Sequence, residues 1–417
     1  MKPLIISASD LEGGAPRAAL RLHQGLRRQQ VDSQMLVQKQ LGNGPNLIAP
    51  QTSLQRSIAT MRRAIDALPL KRYSQRSASI FSPQWLPETT PRQIRAINPD
   101  IINLHWVCDG FIRIESLTRY NRPIVWSLHD MWPFTGGCHY DQGCNRYQQT
   151  CGTCPQLGSQ RERDLSRQIW RRKQKAWRDV DLTIVALSSW MADCARSSSL
   201  FKDVRIEVIH NGLDLELYRP VNKGFARTLL QLPQDKQTIL FGAVKATSDA
   251  RKGFDLLQAA LQSLGQTEKA SDLELAVFGA NTPEQPPEFG LKTHYLGSFN
   301  DDLSLVLAYA AADVFVLPSR QENLANTVVE ALACGTPCVA FKVGGNRDMI
   351  ESHQNGYLAS AFDVEDLAKG IYWVLEDPER HYQLANEARD RAIEKFNITH
   401  QVACHKRLYE ELLELSS

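Results

Sequence analysis

The sequence predicts an α/β protein of two open parallel sheets with helices on both faces of each, and three observations carry that prediction. Short apolar runs rich in β-branched residues alternate with amphipathic stretches through most of the 417 residues, as expected of strands buried on both faces and joined by crossover helices. The alternation breaks once, at "HNGLDLELYRP" (210–220), and then restarts. In each half a polar turn with glycine separates the first strand from a helix: Gly13-Gly14 in the first, Lys252-Gly253 in the second.

Taken in order, the first-half strands are "PLIISA" (3–8), "SQMLVQ" (33–38), "DIINLH" (100–105), "PIVWSLH" (123–129), "LTIVAL" (182–187) and "RIEVIH" (205–210), with helices fitting between several of them. The junction at 210–220 carries Gly212, acidic positions and Pro220. Beyond it come "TILFGA" (238–243), "LELAVFG" (273–279), "THYLG" (293–297), "DVFVLP" (313–318) and "PCVAF" (337–341), with helices near 254–264, 302–311, 326–334 and 364–376. Residues 377–417 are helical in pattern without another strand, and a return across the first domain is expected. The division is then 1–210, 211–394 and a terminal helix, 395–417. In such sheets ligands bind beyond the carboxyl ends of the strands.

A composition of 43% hydrophobic and 23% charged residues is that of a globular protein with material for substantial cores. The net charge of +2 argues against a dedicated nucleic-acid binder, which needs a concentrated positive surface. The opening apolar run stops at Ser7, too early for a signal-peptide core, and no run approaches the roughly 20 residues of a spanning helix. A cytoplasmic location is expected, at most peripheral to the inner face of a membrane. Nine cysteines in that compartment would be thiols or metal ligands rather than disulfides.

Several stretches carry chemistry. Amides at Gly13 and Gly14, unshielded by Cβ and backed by a helix N-terminus, suit a phosphate, although a tight turn needs the same glycines. No G-x-G-x-x-G or Walker element is present. Arg251 and Lys252 at the second turn can meet a diphosphate as a fork and a point charge; the alternative is a solvated basic turn. In "SRQENLANTVVEALACGTPCVAF" (319–341), Glu322 falls in the loop after a strand and Glu330 on the helix that follows. Both can face a strand-end crevice as acceptors for vicinal hydroxyls, as an acid/base pair, or with only local partners.

The loop "CHYDQGCNRYQQTCGTCPQLG" spaces Cys138, Cys144, Cys151 and Cys154 as C-x5-C-x6-C-x2-C, which suits tetrahedral zinc; disulfides and unligated thiols are the alternatives. Two basic stretches, 55–76 and 163–179, mix Arg and Lys with apolar residues, and Trp170 and Trp177 share a helical face. Such helices can lie on anionic lipid, or turn an apolar stripe into the core.

Glu322-x7-Glu330 followed by "EALACGTP", together with "VIHNGLDLELYRP", the two glycine loops and "GGNRDMIESHQNGYL", resembles the retaining glycosyltransferase family 4. That family has the GT-B fold: α/β, two Rossmann-like doubly wound parallel-sheet domains facing a central cleft. The resemblance covers nearly the whole chain. "QENLANTVVEALACGTPCVAF" and "HDMWPFTGGCHY" are similar to a subgroup acting in bacterial exopolysaccharide and colanic-acid-type assembly.

The resemblance implies transfer of a hexosyl group from a nucleotide-sugar, a UDP-sugar ahead of a GDP-sugar, to a saccharide or lipid-linked acceptor with retained configuration. It implies that Glu330 binds the donor ribose and that Glu322, with the amides of Asn323 and Leu324, holds the transferred sugar. Lys252 and a neighbouring cation neutralise the diphosphate, Gly14 adds an amide, and His129 lies near the transferred sugar, with His105 a weaker second candidate. Backbone groups around 278–281 and 297–300 meet the base. The first domain would then be the acceptor side. No catalytic metal is expected, cations and helix ends serving instead; zinc in the cysteine loop would be structural. One departure matters: Gly242-Ala243 stands where many members have Gly-Arg, leaving Lys245 or Arg251 as the replacement cation. Asp348 in place of a glutamate is milder. A non-catalytic nucleotide-sugar-binding subunit and an epimerase on the same fold are the rival readings.

Overall fold

A computed structural model describes residues 1–242, 249–279, 284–299 and 301–415. The chain forms two compact units, Met1–His210 with Gln401–Ser417, and Asn211–His400.

The first unit holds seven strands: β1 (Pro3–Ser9), β2 (Gln34–Lys39), β3 (Leu47–Ile48), β4 (Ile101–Leu104), β5 (Ile124–Leu128), β6 (Leu182–Ala186) and β7 (Arg205–Val208). They pair in parallel in the order β3-β2-β1-β4-β5-β6-β7. Strands β1, β4 and β5 are buried at every position, which is why their sequences are mainly apolar, with Ser7, Ser9, Asn103 and Ser127 the polar exceptions. Beneath the sheet Trp126 meets Trp177 edge-on at 5.2 Å between ring centroids. The helix Ile398–Leu415 lays Tyr409 onto the same unit, its hydroxyl accepting from Asn103 Nδ2 at 2.7 Å.

The second unit holds β8 (Gln237–Gly242), β9 (Leu273–Phe278), β10 (Lys292–Tyr295), β11 (Val314–Leu317), β12 (Cys338–Phe341) and β13 (Gly356–Ala359), again all parallel, in the order β10-β9-β8-β11-β12-β13. The predicted α/β class and parallel strands are therefore present. Two strands were not predictable: β3 has two half-buried residues, and β13 opens on Gly356, where a Cβ would lie 2.0 Å from the Cys338 carbonyl oxygen. In each sheet the strand order reverses at one place, between β1 and β4 and between β8 and β11. These reversals part the loops beyond the strands and make the ligand crevice of doubly wound sheets.

Candidate functional site

Glu322 lies just beyond β11, at the reversal point of the second sheet, and is buried with 6% exposure. Its Oε2 accepts from Lys252 Nζ at 2.8 Å, Arg251 Nη1 at 3.2 Å and Ser319 Oγ at 3.3 Å. Burial alone would raise this carboxyl, yet Lys252 and then Arg251 hold it down at about 2, so it stays ionised at neutral pH. Burial in turn lowers the Lys252 ammonium, an effect the Glu322 charge opposes. The other arm of Arg251 reaches the half-exposed Asp249 at 3.4 Å.

The backbone fixes this cluster from three sides. Arg251 also donates to the Gln321 carbonyl at 2.9 Å, while Arg320 grips Asp255 with both terminal nitrogens, at 2.7 and 2.6 Å. Gly253 has φ +68°, and a Cβ there would stand 1.9 Å from the Pro318 carbonyl oxygen; only glycine lets the Lys252 turn approach the end of β11 so closely. After β12 the Gly345 amide donates to the Glu322 carbonyl at 3.1 Å.

Asn323 and Leu324 follow, both buried, and lead into the helix Asn326–Ala333. On it Glu330 is buried and its Oε2 accepts from the Tyr309 hydroxyl at 2.9 Å. One turn earlier, Asn326 Oδ1 accepts from Asn211 Nδ2 at 3.4 Å, and Asn211 Oδ1 is a buried acceptor with no partner. The two glutamates thus occupy different surroundings, Glu322 among cations and Glu330 against a phenol.

In the first unit Gly13, at φ 103°, precedes the helix that Gly14 opens, after β1. His129 follows β5 and its Nε2 is hydrogen-bonded to Nδ1 of buried His105 at 2.8 Å. Burial pulls His129 down to about 4, against the pull of Asp130, so the imidazole is neutral at pH 7. Asp130 itself accepts from the Trp106 indole at 2.9 Å and pairs with His139 at 2.6 Å.

With the strand order and these loops in place, comparison with known proteins decides the family. Residues 12–217 match the model described as Glycosyltransferase Family 4, and residues 229–391 that described as Glycosyl transferases group 1. The chain belongs to the family 4, group 1 glycosyltransferases. Among curated relatives of this glycosyltransferase, D-inositol 3-phosphate glycosyltransferase 2 of Catenulispora acidiphila is 28% identical over 50% of this chain and 51% of its own length. A putative colanic acid biosynthesis glycosyl transferase, WcaC of Escherichia coli, is 25% identical over 62% of this chain and 63% of its own. The chain spans about half the length of the first of these relatives. Two solved structures share the fold: sucrose-phosphate synthase from Thermosynechococcus elongatus (TM-score 0.68, 19% identity, 100% of both chains) and Anabaena HepE in complex with UDP (TM-score 0.62, 19% identity, 99% of this chain and 100% of that one). The expected GT-B class is borne out.

Sequence spacing did not reveal every partner in this glycosyltransferase. Ser319, Arg320 and Tyr309 were missed: Arg320 and Tyr309 meet their partners only through tertiary folding, and Ser319 reaches Glu322 within the loop, three residues away, with no motif to mark it. Lys245 lies outside the described residues, as do 280, 281 and 300 of the segments expected at the base. Of the two readings of the 163–179 stretch, the core-facing one holds: on Leu165–Trp177 both Trp170 and Trp177 are buried in the core of the first unit. The other basic helix, Ser53–Asp66, leaves Leu54, Ile58 and Met61 exposed. Among the described residues no helix is long and apolar enough to cross a membrane. All four loop cysteines are free thiols. They line one cavity, but as they stand no three His, Cys, Asp or Glu side chains among the described residues converge closely enough to hold a metal ion.

Proposed function

We propose that this glycosyltransferase moves a hexosyl group from a nucleoside diphosphate sugar, UDP-linked, to a hydroxyl of a saccharide or lipid-linked saccharide in bacterial polysaccharide assembly, with the anomeric configuration retained. The observation that carries this reading is the ionised Glu322 clasped by Lys252 and Arg251 at the reversal point of the second sheet.

A carboxylate without a proton accepts hydrogen bonds, which is what the hydroxyls of a sugar donate. The two cations beside it offer charge to a diphosphate, whose negative charge grows as the glycosidic bond lengthens; stabilising that leaving group lowers the barrier to transfer. Arg251 then takes the place of the arginine absent after Gly242, without appeal to Lys245. Glu330, behind the helix start, holds the ribose. His129, neutral, donates or accepts near the transferred sugar without adding charge. Because Glu322 is already engaged by two cations, it is a poor covalent nucleophile, and the retained outcome follows from attack on the face the diphosphate leaves.

UDP is favoured because HepE, of like fold, is described with UDP and with UDP-glucose. WcaC is the relative that points to polysaccharide assembly. The exposed apolar stripe of Ser53–Asp66, with Arg56 and Arg63 on the same helix, fits peripheral contact with an anionic membrane face, where a lipid-linked acceptor would be met. Thermal shift with UDP-, GDP- and ADP-sugars tests the donor: a ligand at about 100 times its Kd adds about 2.7 kcal/mol to the folded state. A rise in Tm with UDP-sugars, followed by UDP release with acceptor, is expected. No shift with any nucleotide-sugar would overturn the reading.

A further inference from the structure

We propose that Cys138, Cys144, Cys151 and Cys154 together hold one structural zinc ion in the first unit. Two independent lines converge on it. The spacing C-x5-C-x6-C-x2-C is of a kind that structural zinc sites use. Separately, the fold brings all four side chains to the wall of a single cavity of about 20 Å³, room for about one small sphere and far too little for a nucleotide or sugar.

The loop around that cavity is built as a metal knuckle is built. The Gly136 amide donates to Cys151 Sγ at 3.1 Å, the kind of hydrogen bond that steadies a thiolate. Gly152, inside the C-x-x-C turn, has φ +145°, and a Cβ there would lie 2.4 Å from the Glu162 carbonyl oxygen. At Gly136 a Cβ would lie 2.7 Å from the Cys151 Cβ. A side chain at either position would force the backbone beside Cys151 to shift. The Cys154 amide is fixed by Asp164 Oδ2 at 2.8 Å.

The cation has structural work to do. From the end of β5 at Leu128 to the helix at Leu165 the described chain contains only three short 3-10 turns, Trp132–Phe134, Arg146–Gln148 and Pro155–Leu157. Connections well beyond about 15 residues without regular structure are uncommon and usually functional, and this one also carries Asp130 and begins beside His129. Zinc would cross-link it at four points. Each thiol gives up its proton on binding, so four R–SH and Zn²⁺ become Zn(SR)₄²⁻ and four protons, with Zn–S bonds of about 2.3 Å. The two surplus negative charges meet Arg146, which lines the cavity and donates to the Gly152 carbonyl at 3.2 Å, and Arg167, which donates to the Cys151 carbonyl. The four cysteines line the cavity without any three converging, so binding would require their sulfurs to move inward.

Metal analysis of the full chain, purified without chelator, should find about one zinc per chain. Cys151→Ser and Cys154→Ser should each lose it, while Cys404→Ser, outside the loop, should keep it. Should the loop variants not fold, the wild-type chain still decides: a mercurial thiol reagent should release zinc as the four loop thiols react, and cobalt exchanged for zinc should show thiolate charge-transfer absorption of a tetrahedral site. A folded, metal-free chain whose four loop thiols react freely would overturn the proposal. So would mass analysis showing them paired as disulfides.

Discussion

Lys252 Nζ and Glu322 Oε2 lie 2.8 Å apart although 70 positions separate the residues along the chain. The pair joins the loop after β8 to the loop after β11, the two strands at which the second sheet reverses its order. Breaking a buried pair on one side leaves the other charge unanswered, which costs about 3–5 kcal/mol. Lys252→Met should lower the urea midpoint of unfolding by less than that, because Arg251 stays on Glu322, and Glu322→Gln should lower it by removing the carboxylate that both cations share. The double variant should be less damaged than the sum of the singles, since the lost interaction is shared. Strict additivity would show that the pair is not coupled.

Glu330→Gln keeps the shape of the side chain and removes its charge. A charged hydrogen bond to a donor hydroxyl contributes about 1.5–3 kcal/mol, so donor kcat/KM should fall roughly 10–150-fold. Tyr309→Phe removes the hydroxyl bound to Glu330 Oε2 and should weaken donor use less, because the carboxylate itself remains. Unchanged donor kinetics in Glu330→Gln would take the ribose role away from this residue.

Acid should act on buried histidines and on buried carboxylates over different ranges. Burial pulls His129 and His405 down to about 4, opposed for His129 by Asp130 and for His405 by its hydrogen bond to the Gln401 carbonyl. Unfolded histidine titrates near 6.5, so between those values the unfolded chain binds protons that the folded chain refuses. The stability concerned is complete above about pH 6.5 and is lost as pH falls toward 4, on the order of 3 kcal/mol for fully buried His405. Glu322, held at about 2, adds its own loss only below the usual carboxylate range, near pH 4.5 and lower. Urea midpoints at pH 7.5, 6.5 and 5.5 should fall in that order. The decline should be shallower in His405→Gln, whose side chain does not titrate; an equal slope would exclude His405 as a source.

Cosedimentation with vesicles tests the helix Ser53–Asp66. Pelleting with anionic vesicles at low salt is expected, reduced at higher salt by screening of basic residues that each contribute about 1 kcal/mol near the surface. Replacing Leu54 and Ile58 by Ser should abolish it with little effect on the melting temperature, because both side chains are already exposed. Binding that ignores both changes would move the contact elsewhere.

The fold class was legible because the strands of these sheets are buried on both faces, and a run such as Val314–Leu317, apolar at every position, reads as such a strand. Glu322 and Glu330 could be picked out for the opposite reason, as carboxylates within stretches otherwise suited to a core. Their partners could not. Nothing near Glu330 in the sequence marks Tyr309, and nothing near Asp255 marks Arg320; such pairs exist only once strands and helices have been laid side by side. The Leu165–Trp177 helix was ambiguous in another way. A stripe of tryptophans beside basic residues has the same periodicity whether it meets lipid or a core, and here the core holds it.

Because Gln401–Ser417 belongs with Met1–His210, everything from Asn211 to His400 is, in polymer terms, an insertion within the first unit. A ribosome delivers the second body as one uninterrupted segment, free to fold while synthesis continues. The first must wait for Tyr409 to reach Asn103 before its sheet is covered. Truncating the chain after residue 400 should thus harm the half encoded at the opposite end of the gene.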